Sequence, residues 1–69
     1  MNFFNNKGCG ICFEIVTEKE ISLIAILDKK EYATVRCLNK REQCWESGRY
    51  FKNFEDAYSD YKQRLKQVI

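Results

Sequence analysis

The stretch Trp45-Glu46-Ser47-Gly48-Arg49-Tyr50-Phe51-Lys52-Asn53, running on through Phe54-Glu55-Asp56-Ala57-Tyr58 to Ile69, decides the fold. It reads as a turn around Gly48, a short strand, and then one amphipathic helix. Phe54, Ala57, Tyr58, Tyr61, Leu65 and Val68 recur at three- and four-residue intervals, which places them on one helical face. Asn53 offers a side-chain acceptor to the first free helical amides, and Asp56, three residues on, makes a variant of the capping box. Glu55, Asp56 and Asp60 come early in the helix while Lys62, Arg64 and Lys66 come late, the order that the helix macrodipole favours. Such a face needs a sheet to lie on.

The preceding residues supply that sheet. Ile11-Cys12-Phe13-Glu14-Ile15-Val16-Thr17 is β-branched and aromatic, as strands prefer. A polar break at Thr17–Glu20 leads to Ile21-Ser22-Leu23-Ile24-Ala25-Ile26-Leu27, a buried central strand. Asp28-Lys29-Lys30-Glu31 makes the next turn, and Tyr32–Leu38 a third strand. After the charged loop Asn39–Gln43, Cys44–Phe51 forms a short fourth strand or extended segment. The fold class is therefore α+β: an antiparallel three- to four-stranded β-meander with one C-terminal amphipathic helix packed on one face. Residues 1–69 make a single small domain, with 1–8 as a flexible arm, 11–51 as the meander and 53–68 as the helix.

One helix covers one face of a sheet. Ile21, Leu23, Ala25 and Leu27 alternate with Ile24 and Ile26 along the central strand, so the second face also carries aliphatic groups. Two readings stay open: the Phe3-Phe4 arm folds back over them, or they form a contact surface for a partner. On the second reading Ile24 and Ile26 contact the partner, with Trp45, Arg49 and Tyr50 along the rim.

A chain of 69 residues buries only roughly 60% of its unfolded surface. A metal, a disulfide, a homodimer or a bound partner would supplement so small a core. Apolar residues at 45% and aromatics at 14% are enough to fold and argue against disorder. Twelve basic against ten acidic residues, a formal +2, excludes a simple acidic DNA mimic and is too weak to announce nucleic-acid binding by itself. The apolar run Ile21–Leu27 is too short to cross a bilayer. The segment Met1–Lys7 lacks a signal peptide's charged start and long apolar centre, so the expectation is a cytoplasmic protein with reduced thiols.

Four cysteines form the sharpest candidate site. Cys9-Gly10-Ile11-Cys12 has two-residue spacing, and Cys37 and Cys44 lie about a hairpin away. Four thiolates suit a structural zinc ion, which would support a small core; the alternative is free structural thiols. A thioredoxin-type redox pair is discounted, because that motif starts a helix and this one precedes a strand. There is no histidine, hence no Ser-His or Cys-His dyad, and no phosphate-cradling glycine loop. The chain is read as a non-enzyme. Arg36, Lys40, Arg41 and Lys52, with Arg49, Trp45 and Tyr50 near them, make a second candidate, a basic-aromatic surface for DNA or RNA. The plain reading is a sheet edge guarded by charge.

Gly48-Arg49-Tyr50-Phe51-Lys52-Asn53-Phe54-Glu55-Asp56-Ala57-Tyr58 resembles the strand-to-helix step that ends the arm-type DNA-binding domain of phage and transposon integrases. That resemblance implies a three-stranded sheet laid in the major groove. Trp45, Gly48, Tyr50, Phe51, Glu55, Ala57 and Tyr61 are also similar to a pattern in small proteins of phages and mobile elements, among them inhibitors of the anti-CRISPR and anti-defence type. This second resemblance implies a non-catalytic protein that docks on a host defence protein, such as a CRISPR nuclease complex, and inhibits or modulates it.

Overall fold

A computed structural model describes residues 2–68; Met1 and Ile69, the ends of the expected domain, lie outside the described residues. Five strands and one helix follow in order: β1 (Phe3–Asn6), β2 (Gly10–Glu18), β3 (Ile21–Ile26), β4 (Glu31–Asn39), β5 (Cys44–Phe51) and α1 (Phe54–Gln67). All pairings are antiparallel and the strand order is sequential, a meander. The α+β architecture stands as read, with one strand more than expected. The arm expected over residues 1–8 is instead largely an edge strand: Phe3 pairs with Phe13 and Asn6 with Gly10. The Asn6 side chain fixes the turn that makes this pairing. Its Oδ1 accepts from the amides of Gly8 and Cys9, and its Nδ2 donates to the Gln43 carbonyl.

Three bulges bend the sheet. β2 inserts Ile15 between the Glu14–Ile24 and Val16–Leu23 pairs. β5 uses one residue more than β4 between the Thr34–Arg49 and Arg36–Glu46 pairs, and there Ser47 takes φ +51°. β4 has the extra residue in the next interval, where Cys37 takes φ +53°. The sheet coils until its two edges meet at one end. Phe4 of β1 packs edge-on against Trp45 of β5 with ring centroids 6.4 Å apart, and the Lys7 amide donates to Gln43.

Coiling gives the sheet an inner and an outer face, each with its own core. Cys12, Ile24, Ile26, Ala33 and Val35 fill the inner one, sealed by Phe4, Cys9, Leu38 and Trp45. On the outer face Ile21 and Leu23 meet Ala57 and Tyr61 of α1, flanked by Val16, Phe51 and Leu65. This overturns the placing of Ile24 and Ile26 on an exposed contact face. Both are at most 1% exposed, because the sheet's own edges close over them.

The helix is capped as its sequence predicts. Asn53 Oδ1 accepts from the Asp56 amide at 2.9 Å, and Asn53 Nδ2 donates to the Asp56 carboxylate at 3.0 Å. Its buried line is Ala57, Tyr61 and Arg64; Phe54 and Tyr58 lie out on the rim.

Candidate docking surface

The register places side chains in rows across the sheet. Phe3, Phe13, Ala25, Tyr32 and Phe51 are successive cross-strand partners and therefore share the outer face. α1 packs on β3, β4 and β5 and reaches the end of β2 at Val16 and Glu18, so the part of that face made by β1 and the start of β2 stays uncovered. There Phe3 meets Phe13 edge-on at 4.9 Å. Ile11, opposite Asn5, lies beside Leu27, whose amide donates to the Ile11 carbonyl at 3.0 Å. Phe3, Ile11 and Leu27 are each roughly half exposed, at 54%, 47% and 44%. The result is a contiguous apolar patch of a kind that marks contact surfaces. Alternation along Ile21–Leu27 groups Leu27 with Ile21 and Leu23 and not with the expected contact residues Ile24 and Ile26, so the sequence does not mark it as part of this patch; Phe3 is hidden because a four-residue strand with two asparagines gives almost no periodic signal.

The expected rim does not assemble. Trp45 and Tyr50 sit on the inner face, where Trp45 Nε1 donates to the Tyr50 hydroxyl at 3.3 Å. Gly48 makes room for that contact, since a Cβ there would lie 2.7 Å from the Tyr50 oxygen. Arg49 is on the opposite, outer face and donates to Asp60 at 2.8 Å. Asp60 also accepts from Thr34 Oγ1 at 2.6 Å. Beside it Arg64, 5% exposed, donates to the carbonyls of Thr34 at 3.2 Å and Ser47 at 2.6 Å. Burial and then Arg49 push the Arg64 guanidinium below its ordinary pKa, while Asp60 opposes them. Arg49 is thus tied into a network that holds α1 to the bulge of β5.

The basic residues are dispersed and answered by carboxylates. Arg36 pairs with Glu20 at 2.8 Å, Lys52 with Glu31 at 3.0 Å and Lys40 with Glu14, while Arg41 lies exposed in the β4–β5 turn. Arg36 lines a cleft with Gln67 and Val68 at one end of α1, whereas Lys52 precedes its other end. Those ends are about 21 Å apart for a helix of 14 residues. No single basic-aromatic surface forms from Arg36, Lys40, Arg41 and Lys52.

The cysteines divide between interior and surface. Cys12 is fully buried and Cys9 packs beside the inner core, while Cys37 and Cys44 are exposed. Among the described residues no three cysteine, aspartate or glutamate side chains stand close enough to hold a metal ion. Burial, followed by the nearby Cys9 and Asp28, pushes the Cys12 thiol up to about 11, the reverse of what a thiolate nucleophile needs. No helix among the described residues is long and apolar enough to cross a membrane. Fold and surface together define a small α+β domain with an uncovered apolar patch at Phe3, Ile11 and Leu27. No protein-family model, curated protein or solved structure matches the chain.

Proposed function

We propose that the chain is a non-catalytic binding module that docks on another protein through the uncovered outer face of β1 and the start of β2. We propose further that this partner is a host defence protein, such as a CRISPR nuclease complex, which the module inhibits or modulates. One observation carries the docking reading: Phe3, Phe13, Ile11 and Leu27 form one continuous apolar surface beyond the reach of α1. Scattered exposed aliphatics are ordinary on any protein, but contiguous ones are not. Aromatic side chains are effective anchors in such interfaces, and Phe3 is already held by Phe13. The defence-protein reading rests on the likeness of residues 45–61 to small phage and mobile-element inhibitors. Non-catalytic character is supported by the composition, which has no histidine for a Ser-His or Cys-His dyad.

The test is affinity capture from nuclease-treated bacterial lysate, with Ile11→Asp and Leu27→Asp as paired variants. Both sites are exposed, so each variant keeps its circular dichroism spectrum. Wild type is expected to retain a stoichiometric protein that both variants lose, and a captured nuclease is expected to lose activity when the chain is added back. Equal capture by all three rejects this surface. A partner released by nuclease treatment alone rejects protein docking in favour of nucleic acid.

A further inference from the structure

β1 is a free edge of the sheet, and its register fixes which of its main-chain groups face outward. The Glu14 amide donates to the Asn2 carbonyl at 2.8 Å, so Asn2 and Glu14 are a hydrogen-bonded pair. Bonded pairs alternate along an antiparallel ladder, so Phe4 with Cys12 and Asn6 with Gly10 are bonded pairs as well. Phe3 and Asn5 stand between them, and their N–H and C=O groups point away from β2. β1 pairs with no other strand, and these four groups have no main-chain hydrogen-bond partner among the described residues. Lys7, next in the same outward row, shows what such a group takes: its amide donates to the Gln43 carbonyl where the two edges meet.

This edge is unguarded. Sheet edges are normally protected by charge, proline or a bulge. The opposite edge, β5, has Glu46, Arg49 and the bulge at Ser47, whereas Asn2-Phe3-Phe4-Asn5-Asn6 has none of these. Phe3 and Asn5 are both exposed. The outward groups also adjoin the apolar patch, because the side chains of Phe3 and Asn5 share the outer face with Ile11 and Phe13. A hollow of about 220 Å³ beside the strand, lined by Phe3, Phe4, Asn5 and Ile11, has room for a side chain laid along that face.

We propose that the partner docks by adding a strand: an extended segment of it pairs antiparallel with the free edge of β1, and its alternate apolar side chains continue the row of Phe3 and Ile11. This rests on the docking reading above and specifies the chemistry of the partner. Two partner residues, two positions apart, stand opposite Phe3 and Asn5 and exchange four main-chain hydrogen bonds with them. The side chains of those two residues fall on the outer face, beside Phe3, Asn5 and the hollow, which is why they are apolar. The residue between them points to the side of Phe4, and the edge places no demand on it. Only an extended backbone offers donors and acceptors at the two-residue repeat that Phe3 and Asn5 present.

A phage-displayed library of short linear peptides, selected on the full chain, tests the pairing. Selected peptides are expected to alternate apolar and polar residues. Adding one of them in synthetic form is expected to slow hydrogen exchange of the Phe3 and Asn5 amides about tenfold, read by NMR. Asn5→Pro deletes an outward donor at an edge position that tolerates proline, and is expected to weaken peptide binding about tenfold. Asn5→Ala keeps the donor and is expected to bind as wild type does. The exchange measurement needs no variant, so it decides even where Asn5→Pro disturbs β1. Peptides without alternation, peptides bound with no protection of the two amides, or a library that yields no binder overturn the proposal. Protection that rises with the chain's own concentration, in the absence of peptide, overturns it too, by giving the edge to a second copy. Lysate capture separates the two readings: a protein lost with Ile11→Asp yet kept in full by Asn5→Pro leaves docking on the patch intact and removes strand addition.

Discussion

Arg64 is the residue on which the sequence reading and the structure differ most instructively. Read by position it is a last-turn cation that complements the macrodipole. In the fold it is buried, and its guanidinium satisfies two main-chain carbonyls beside the β5 bulge. The bulge causes this. Thr34 and Ser47 lie where the ladder between β4 and β5 slips by a residue, and a slip set by φ +51° at a serine has no sequence signature. Replacing Arg64 removes both donors and leaves polar atoms buried without partners. A charge-assisted hydrogen bond contributes about 1.5–3 kcal/mol, so Arg64→Ala is expected to cost about 3 kcal/mol in urea unfolding. A loss below about 1 kcal/mol would mean that the side chain spends its time in solvent. Arg49→Glu is expected to destabilise as well, by placing a second carboxylate beside Asp60, and this rules it out as a clean probe of partner binding.

Among the elements, β2, β3, β4 and α1 are legible because each carries enough residues for its period to show, whereas Cys44–Phe51 reads only as a short strand or extended segment, since the bulge at Ser47 breaks its alternation. β3 reads best: its strict alternation sends Ile21 and Leu23 to the helix and Ile24 and Ile26 inward. The helical period is also legible, but the buried face lies one step off the stripe that spacing implies. Phe54 and Tyr58 share the stripe by spacing, yet α1 is rotated so that Ala57, Tyr61 and Arg64 point at the sheet. The polar network of Asp60 and Arg64 sets that rotation, and hydrophobicity alone does not encode it. β1 was hidden by its length, and with it the closure that turns an expected open face into a second core. Phe4 is the element's main contribution to that core, through Trp45. Phe4→Ala is accordingly expected to cost about 2–4 kcal/mol, near the lower part of the range for large aromatic truncations because Phe4 is only partly buried. Trp45 fluorescence should shift to the red in the folded state of that variant. An unshifted Trp45 spectrum with unchanged stability would mean that β1 does not close the inner face.

For the whole molecule, a domain of 69 residues with two small cores has little stability in reserve, so ionisation of its buried groups decides the pH range in which it stays folded. Two groups act at the alkaline side. The Cys12 thiol is pushed up to about 11 by burial, Cys9 and Asp28, from an ordinary 9.0. The Tyr61 hydroxyl is pushed up to about 12, first by burial and then by its hydrogen bond to Glu18, from an ordinary 10.0. Both are neutral when protonated, and both hold the proton more tightly in the folded chain. Between the two values of each group the unfolded chain loses the proton and the folded one keeps it, so rising pH favours unfolding. The contribution is complete below pH 9 for Cys12, gone by about pH 11, and follows one unit later for Tyr61. Each group adds a slope of up to about 1.4 kcal/mol per pH unit. Glu14 acts in the other direction. Burial alone would raise its pKa, but the hydrogen bonds from Lys40 and Thr17 and the Lys40 charge outweigh burial and lower it. Its stabilisation is therefore present above the ordinary carboxylate pKa and lost as pH falls through the depressed value. Urea midpoints should accordingly be flat across neutral pH, fall below about pH 4.5 in a Lys40-dependent manner, and fall steeply above pH 9. Tyr61→Phe keeps the ring in the core and should flatten the part of the alkaline limb between pH 10 and 12, while Cys12→Ala should flatten the part between 9 and 11. An alkaline limb unchanged in both variants would show that neither group is withdrawn from water, and with it that the inner and outer cores are not closed around them.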